Sequence, residues 1–595
     1  MKLRDIISPF YAWKRALEKP FTIARPVKDR PGAPRYRGFH VNDTETCIGC
    51  GTCEAICQNE AIDMVPDPAA DPGPGDSGLR PRVDYGRCCW CALCIDVCPT
   101  NCLGMSNEYN WIDSDPEVFR YTPGIDKKPW DSGELGYRRS EGAWLLEPEA
   151  VPMPVIEPEK RRSTFDEAQL GYDEELARDE ATRCTECGLC IEACPTHMDV
   201  PHYIEAIREG ELDEALRILY DTNPFSETCG RVCTAHCQEV CSLKHRGEPI
   251  MIRWLKRYIT DRTAERRSEI LGLGKEIRET GKKVAIVGGG PSGLTAAFYL
   301  RNYGHRVTVY EMHDKLGGML LWGIPGYRLP EDVLQREIET ILETGVDVKL
   351  GTRVGDDVTI DRLRREHDAV YISIGAQKGS GMPIEGQDTP GVLIGVEFLE
   401  RVNEGERPDL GRRVAVVGGG NTAMDVSRSA VRLGAEEVRV LYRRTEREMP
   451  AAHEEVEDAR EEGVVFEFLV APERIERRAD GLEVTCIRME LGEPDESGRR
   501  RPEPIEGSEF TVTVDTCIMA IGQYVDGEVA ERSGVEVTRW QTIEVREDDL
   551  STNVKGIFAG GDCMTGPDDA IRAIADGKKA AFAIHEYLSK GANDE

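Results

Sequence analysis

The chain has no apolar run near the ~18 residues that would cross a bilayer, so no membrane-spanning helix is expected. Its start, MKLRDIISPFYAWKRALEKP, lacks the apolar core and small-residue cleavage site of a secretory signal, which points to a cytoplasmic chain. Positive charge is in deficit: 75 Lys and Arg face 108 Asp and Glu, a formal charge of −33. Such a polyanion is a poor partner for nucleic acid. Histidine is sparse, 10 in 595 residues, and His236, His245, His313 and His453 are scattered rather than grouped. No catalytic acid or base is expected among them.

Cysteine, by contrast, is plentiful at 21. A reducing cytoplasm disfavours disulfides, so these thiols read as metal ligands. Sixteen, with Cys89 apart from them, form regular runs in two blocks, 47–98 and 184–241, in a chain long enough for roughly three to five domains. Cys184-x2-Cys187-x2-Cys190-x3-Cys194-Pro195 is the ferredoxin run, in which three close thiolates wrap one [4Fe–4S] cubane and the fourth reaches another. Cys88, Cys91, Cys94 and Cys98 repeat it before Pro99; Cys47, Cys50, Cys53 and Cys57 repeat it with Gln58 in place of proline. Two such runs predict crossed ligation: Cys47, Cys50, Cys53 and Cys98 for one cluster, Cys88, Cys91, Cys94 and Cys57 for the other. Zinc competes for CxxC pairs, but zinc ribbons use paired ligands rather than four-cysteine runs. Cys89 and Cys102 fall off register and are read as free thiols. Cys486, Cys517 and Cys563 are read as buried and inert.

CGRVCTAHCQEVC, 229–241, spaces Cys229, Cys233, Cys237 and Cys241 four apart. As one helix its ends would stand about 18 Å apart, too far for one metal centre. Either the segment wraps as a loop or its cysteines are shared between centres. Helical periodicity over 199–220 and 249–270 makes the surrounding block a small helical domain.

After Gly281 the texture becomes strand, glycine turn, helix, strand, a doubly wound α/β pattern. Gly288-x-Gly290-x2-Gly293 follows a strand and opens a helix, and Glu311 ends the next strand 23 residues after Gly288. This is a dinucleotide fingerprint, glycines for the pyrophosphate and the acid for a ribose hydroxyl. Gly418-x-Gly420-x2-Ala423 repeats it 130 residues on, but its second strand ends at Arg443-Arg444. Two guanidiniums suit a 2′-phosphate, so NADP(H) is expected, with NAD(H) the alternative.

These motifs carry resemblances. GGGPSGL, LGGMLLWGIPGYRLP, GGGNTAMD, YRRTEREMPA and GIFAGGD, with the cysteines of 184–241, make 176–595 resemble glutamate synthase small subunits. The helical block also resembles the Fe–S domain of dihydropyrimidine dehydrogenase. The resemblance implies that Cys241 joins Cys184, Cys187 and Cys190, while Cys229, Cys233 and Cys237 join Cys194. It implies FAD on the first fingerprint, with Gly318, Gly561 and Asp562 in contact, and Asn421 beside the second. KPFTIARP, RYRGFH and LGMS make residues 1–110 similar to the two-cluster ferredoxin subunit of complex I and membrane hydrogenases.

The expectation is a multidomain chain: a ferredoxin-like α+β Fe–S domain, an α-helical Fe–S domain, and an α/β flavoprotein module with two dinucleotide folds. The predicted boundaries are a basic docking arm at 1–40, ferredoxin domain 41–106, linker 107–175 and helical domain 176–278. FAD-binding parts follow at 279–395 and 526–595, around an NAD(P)-binding domain at 396–525. The expected function is an NAD(P)H:acceptor oxidoreductase passing electrons from NADPH through FAD and four [4Fe–4S] clusters to a protein, or the reverse. The small subunit of a glutamate synthase and a bifurcating transhydrogenase subunit are alternatives; a non-enzymatic Fe–S redox sensor is a third. Lys2 after Met1 leaves no N-terminal cysteine nucleophile for amidotransfer. Expected partners are a ferredoxin, a hydrogenase or membrane redox subunit, or a large catalytic subunit. The arm, ten Lys/Arg against three acids with Phe10, Trp13 and Leu17 on one helical face, suggests peripheral membrane docking through 1–24.

Overall fold

The computed structural model describes residues 11–18, 32–140, 145–275, 277–495 and 498–590. They form two compact units, 1–149 with 240–249, and 150–239 with 250–595. Among the described residues no helix is long and apolar enough to cross a membrane. Most of the predicted arm, Phe10 included, lies outside the described residues; within it, Trp13 is exposed on a short helix and Leu17 in the turn that follows.

In the first unit, strand β1 (His40–Asn42) pairs antiparallel with β4 (Leu103–Met105). Strands β2 (Ile62–Pro66) and β3 (Leu79–Asp84) form a second ladder, joined by β5 (Arg120–Tyr121). So few short strands bury little apolar surface. The deficit is met by aromatics: Phe39 stacks on Trp130 at 4.7 Å, and Tyr85, Trp111 and Tyr121 close around them. Trp111, Tyr121 and Trp130 come from the predicted linker 107–175, which is corrected here. Its first part is ferredoxin-domain core, illegible because single aromatics in turns leave no period.

In the second unit, helices Val200–Glu209 and Leu212–Thr222 pack with α1 (Ser226–Val232) and α2 (Ile252–Thr263). Two parallel five-stranded sheets follow. In the first, β6 (Lys283–Val287), β7 (Arg306–Tyr310), β8 (Asp347–Lys349), β9 (Ala369–Ile372) and the late β15 (Ile557–Ala559) take the order β15-β9-β6-β7-β8. In the second, β10 (Val392–Ile394), β11 (Arg413–Val417), β12 (Glu437–Tyr442), β13 (Val465–Phe468) and β14 (Thr516–Met519) take the order β10-β14-β11-β12-β13. Near-continuous Val/Ile runs suit such sheets, covered on both faces. Strand β10 corrects the predicted boundary at 395: it pairs with β14, so the second sheet starts before that residue. An antiparallel sheet over 470–514 is appended between β13 and β14.

Candidate functional site: cysteine cavities and two nucleotide cradles

The cysteine runs share a backbone design. In Cys47–Gly51 the left-handed positions are Gly49 and Gly51; in Cys88–Ala92 they are Trp90 and Ala92; in Cys184–Gly188, Glu186 and Gly188. The third residue after each fourth cysteine is left-handed too: Glu60, Asn101 and His197. Non-glycine residues pay about 1–2 kcal/mol for that conformation, so six such residues at matching places mark an imposed turn. The turns aim N–H groups at sulfur: Ala61 N to Cys57 Sγ at 3.3 Å, Trp90 N to Cys88 Sγ at 3.4 Å, Glu186 N to Cys184 Sγ at 3.5 Å. Such bonds stabilise thiolates and tune clusters.

The sets predicted by crossed ligation come together. Cys47, Cys50, Cys53 and Cys98 line one cavity of the first unit; Cys57, Cys88, Cys91 and Cys94 line another. Among the described residues, no three His, Cys, Asp or Glu converge on a point suited to a single metal ion. Cys102, read as a free thiol, lines the first cavity. Cys89 is exposed at the second, and Cys486, Cys517 and Cys563 are fully buried.

The stretch 229–241 is not one helix. α1 ends at Val232, Ala235 is left-handed, and a new turn of helix spans His236–Glu239. Cys229 is fully buried, and buried Lys256 on α2 faces Cys229, Cys233, Cys194 and Cys237. The Cys233 thiol is drawn down to about 6 by a hydrogen bond from Cys229, with Lys256 helping against the cost of burial. Thr234 and His236 both reach Asp569 Oδ2, at 2.8 and 2.6 Å. Cys241 is buried and belongs with the first unit.

At the first fingerprint each glycine has its own reason. Gly288 has φ of 105°, and a Cβ there would stand 2.4 Å from Ser373 O. A Cβ on Gly293 would lie 2.1 Å from Gly288 O, so helix α3 (Pro291–Asn302) can meet β6 only as glycine. Gly290 opens toward Gly318, whose own Cβ would fall 2.9 Å from Gly290 Cα. That leaves a side-chain-free cradle at the α3 N-terminus, suited to a pyrophosphate. Glu311 is fixed in place: its carboxylate accepts Gly289 N at 2.7 Å and His313 N at 2.9 Å. Beside it lies a 450 Å³ cavity lined by Glu311, Met319, Trp322, Thr352, Ile374 and Gly375, among others. The late signature folds back to this place. Gly561 N donates to Asp576 at 2.9 Å, and Asp562 opens a helical turn, its carboxyl pushed up to about 7 by burial, with nearby acids adding repulsion.

At the second fingerprint, a Cβ on Gly418 would strike Ala520 O at 2.1 Å, while Gly420 stays open at the start of helix α5 (Asn421–Arg432). Asn421 Oδ1 accepts Ala452 N at 2.9 Å, and Ala423 is buried in the turn. The paired-arginine expectation is corrected. Arg444 is buried, bonded to Asp495 at 2.6 Å and to Arg500 O at 2.7 Å. Only Arg443 is exposed. Adjacent residues at a strand end point to opposite sides, so one arginine faces solvent and the other the protein.

The residues that lock these parts together carry no local signal. Arg328, in the loop after the cradle, donates from Nη1 to both carboxylate oxygens of Asp425 on α5, at 3.0 and 2.8 Å, and its Nε reaches Glu455 on α6 (His453–Glu461) at 2.7 Å.

Fold and site together define an NAD(P)-dependent iron–sulfur flavoprotein oxidoreductase. Family models agree part by part: the pyridine nucleotide-disulphide oxidoreductase model matches 282–577. The dihydropyrimidine dehydrogenase domain II, 4Fe-4S cluster model matches 161–268, and the 4Fe-4S dicluster domain model 46–102. The chain is 37% identical to the glutamate synthase [NADPH] small chain of Escherichia coli (strain K12), over 74% of this chain and 97% of that one. It is 33% identical to the putative oxidoreductase AegA of the same strain, over 92% and 88%. It is 44% identical to the NADP(+)-dependent formate dehydrogenase subunit beta of Moorella thermoacetica, over 68% of this chain and 60% of that protein. The chain thus spans about three fifths of that relative's length. It belongs to the family of glutamate synthase small chains and related NAD(P)-dependent oxidoreductases, with a 4Fe-4S dicluster domain ahead of the shared part.

Proposed function

We propose that the chain moves electrons between NADPH and a protein partner by way of FAD and four [4Fe–4S] clusters held by its sixteen motif cysteines. FAD, when bound, exchanges a hydride with the nicotinamide and single electrons with iron–sulfur clusters. The chain's residues supply place and charge. The Gly290–Gly318 cradle takes the flavin pyrophosphate and Glu311 a ribose hydroxyl. The opening at Gly420 takes the nicotinamide nucleotide, and Arg443 its 2′-phosphate.

The observation that carries this reading is the contact of Thr234 and His236 with Asp569. Cys233 and Cys237 flank those two residues, and Asp569 follows the Gly561–Asp562 signature. The cysteine loop and the flavin signature therefore touch, which favours direct electron transfer between cluster and flavin. Anaerobic analysis should find about sixteen irons and as many sulfides per FAD, and NADPH should bleach flavin and cluster absorbance together. Eight or fewer irons, or no response to NADPH, would sink the proposal.

The partner is a second redox subunit. Named relatives include a subunit beta and small chains, and the exposed Trp13 and Leu17 supply an anchor on the basic arm. Deleting residues 1–24 should free the protein from its complex or membrane fraction while NADPH:dye activity stays unchanged.

A further inference from the structure

In three equivalent runs the residue four places after the last cysteine is Ala61, Cys102 or Met198. Ala61 contributes its backbone N–H to Cys57 Sγ at 3.3 Å, and its methyl side chain offers no donor. Cys102 stands at the corresponding place, with its backbone N–H on Cys98, and adds a thiol. Left-handed Asn101 turns the chain back, and Asp43 N binds Cys102 O at 2.9 Å just before β4 pairs with β1. The side chain is thereby held in the cavity of Cys47, Cys50, Cys53 and Cys98. Its Sγ is 3.5 Å from Cys98 Sγ, and it also hydrogen-bonds to Cys47. The cavity has five thiols where a cubane uses four.

We propose that Cys102 is a reserve ligand of this cluster, able to replace Cys98 on the iron that Cys98 holds. The inference rests on the cluster reading above. In the exchange the Cys98 Sγ–iron bond breaks, the Cys102 Sγ–iron bond forms, and the Cys102 thiol proton passes to Cys98 across 3.5 Å. No electron is gained or lost. At rest the same thiol, with its single proton, donates to the sulfur of Cys98 or of Cys47, and a donor to ligand sulfur raises a cluster's potential. The second cavity has Ala61 at the matching position, and its fifth cysteine, Cys89, is exposed and lies beside Cys88 in sequence rather than four places after Cys57.

The test uses the full-length protein, with iron counted per FAD and reduced clusters followed by EPR. Cys53→Ala sets the scale, losing about four irons. Cys98→Ala should keep its iron and show a shifted EPR signal for one cluster. Cys98→Ala/Cys102→Ala should lose about as much as Cys53→Ala. Equal loss in the single and double variants overturns the inference. If Cys53→Ala loses none, it is the cluster reading that fails. Should Cys98→Ala be recovered without FAD, Cys98→Ser with and without Cys102→Ala gives the same comparison, and equal iron loss again overturns it.

Discussion

The Glu337 carboxylate, on helix α4 (Glu331–Leu342), accepts the backbone N–H of Thr228 at 2.7 Å and so caps the helix that carries Cys229. Its other oxygen takes Glu227 N at 2.6 Å and Tyr220 OH at 3.2 Å. A helix of the flavin module thereby seats the cysteine helix, closing orphan N–H groups in a site without water access. Glu337→Ala is expected to cost about 3–5 kcal/mol, because three buried donors, Thr228 N, Glu227 N and Tyr220 OH, lose their acceptor. Denaturant midpoints followed by visible absorbance would measure it. A change under about 1 kcal/mol would mean the cap contributes little.

The same residue sets a pH dependence. Burial, then repulsion from Glu227, pushes Glu337 up to about 7 from its ordinary 4.5. The folded state thus holds this proton more tightly than the unfolded one. The associated stability is full below about pH 4.5 and is lost as pH rises through about 7. Wild-type stability relative to Glu337→Gln should therefore fall between about pH 5 and pH 8, read from urea midpoints. A flat or rising difference contradicts this assignment.

Arg443 and Arg444 should separate on mutation. Arg443→Ala should raise KM for NADPH about 10-fold or more and leave NADH nearly unchanged, since one charge-assisted phosphate contact is lost. Arg444→Ala should lower stability and affect both nucleotides alike, through loss of the Asp495 and Arg500 contacts. Steady-state kinetics with both nucleotides decide it. Identical profiles for the two variants would refute the division of labour.

Lys256 places a buried positive charge among Cys194, Cys229, Cys233 and Cys237. At an effective dielectric near 20, a unit charge several ångströms away is worth about 2–3 kcal/mol, on the order of 100 mV for one electron. Lys256→Met should lower one cluster potential by that order in an EPR-monitored titration, while Lys256→Arg holds it near the wild-type value. Unchanged potentials in Lys256→Met would remove this role.

Arg328→Met should uncouple the two nucleotide folds, leaving Asp425 buried without its ion-pair partner while Glu455 keeps Arg428. Hydride transfer depends on the relative placement of the folds, so kcat should drop at least about tenfold while FAD stays bound. Stopped-flow flavin reduction reads the step directly. Loss of FAD in place of slow reduction would point to a role in flavin binding.

Much of this protein could be read from contiguous residues. Four-cysteine spacing and the glycine fingerprints are local devices: a left-handed turn, or a Cβ that cannot fit, is specified within a few residues of Cys47, Cys184 or Gly288. The cysteines of the first two runs line two cavities, and Gly288 stands where a Cβ cannot fit. The tertiary structure alone decided what depends on faces meeting across long separations. Glu337 caps a helix 109 residues earlier in the chain, Arg328 reaches Asp425, and Asp569 meets His236. A single Glu, Arg or Asp on a helix or loop carries no mark of a distant partner, because the pairing is set by packing rather than by backbone periodicity. Cys102 and Arg444 show the same division in reverse. Spacing made one look spare and the other look like a ligand. Chain reversal at Asn101 set the first beside Cys98, and alternation at the end of β12 turned the second inward to Asp495.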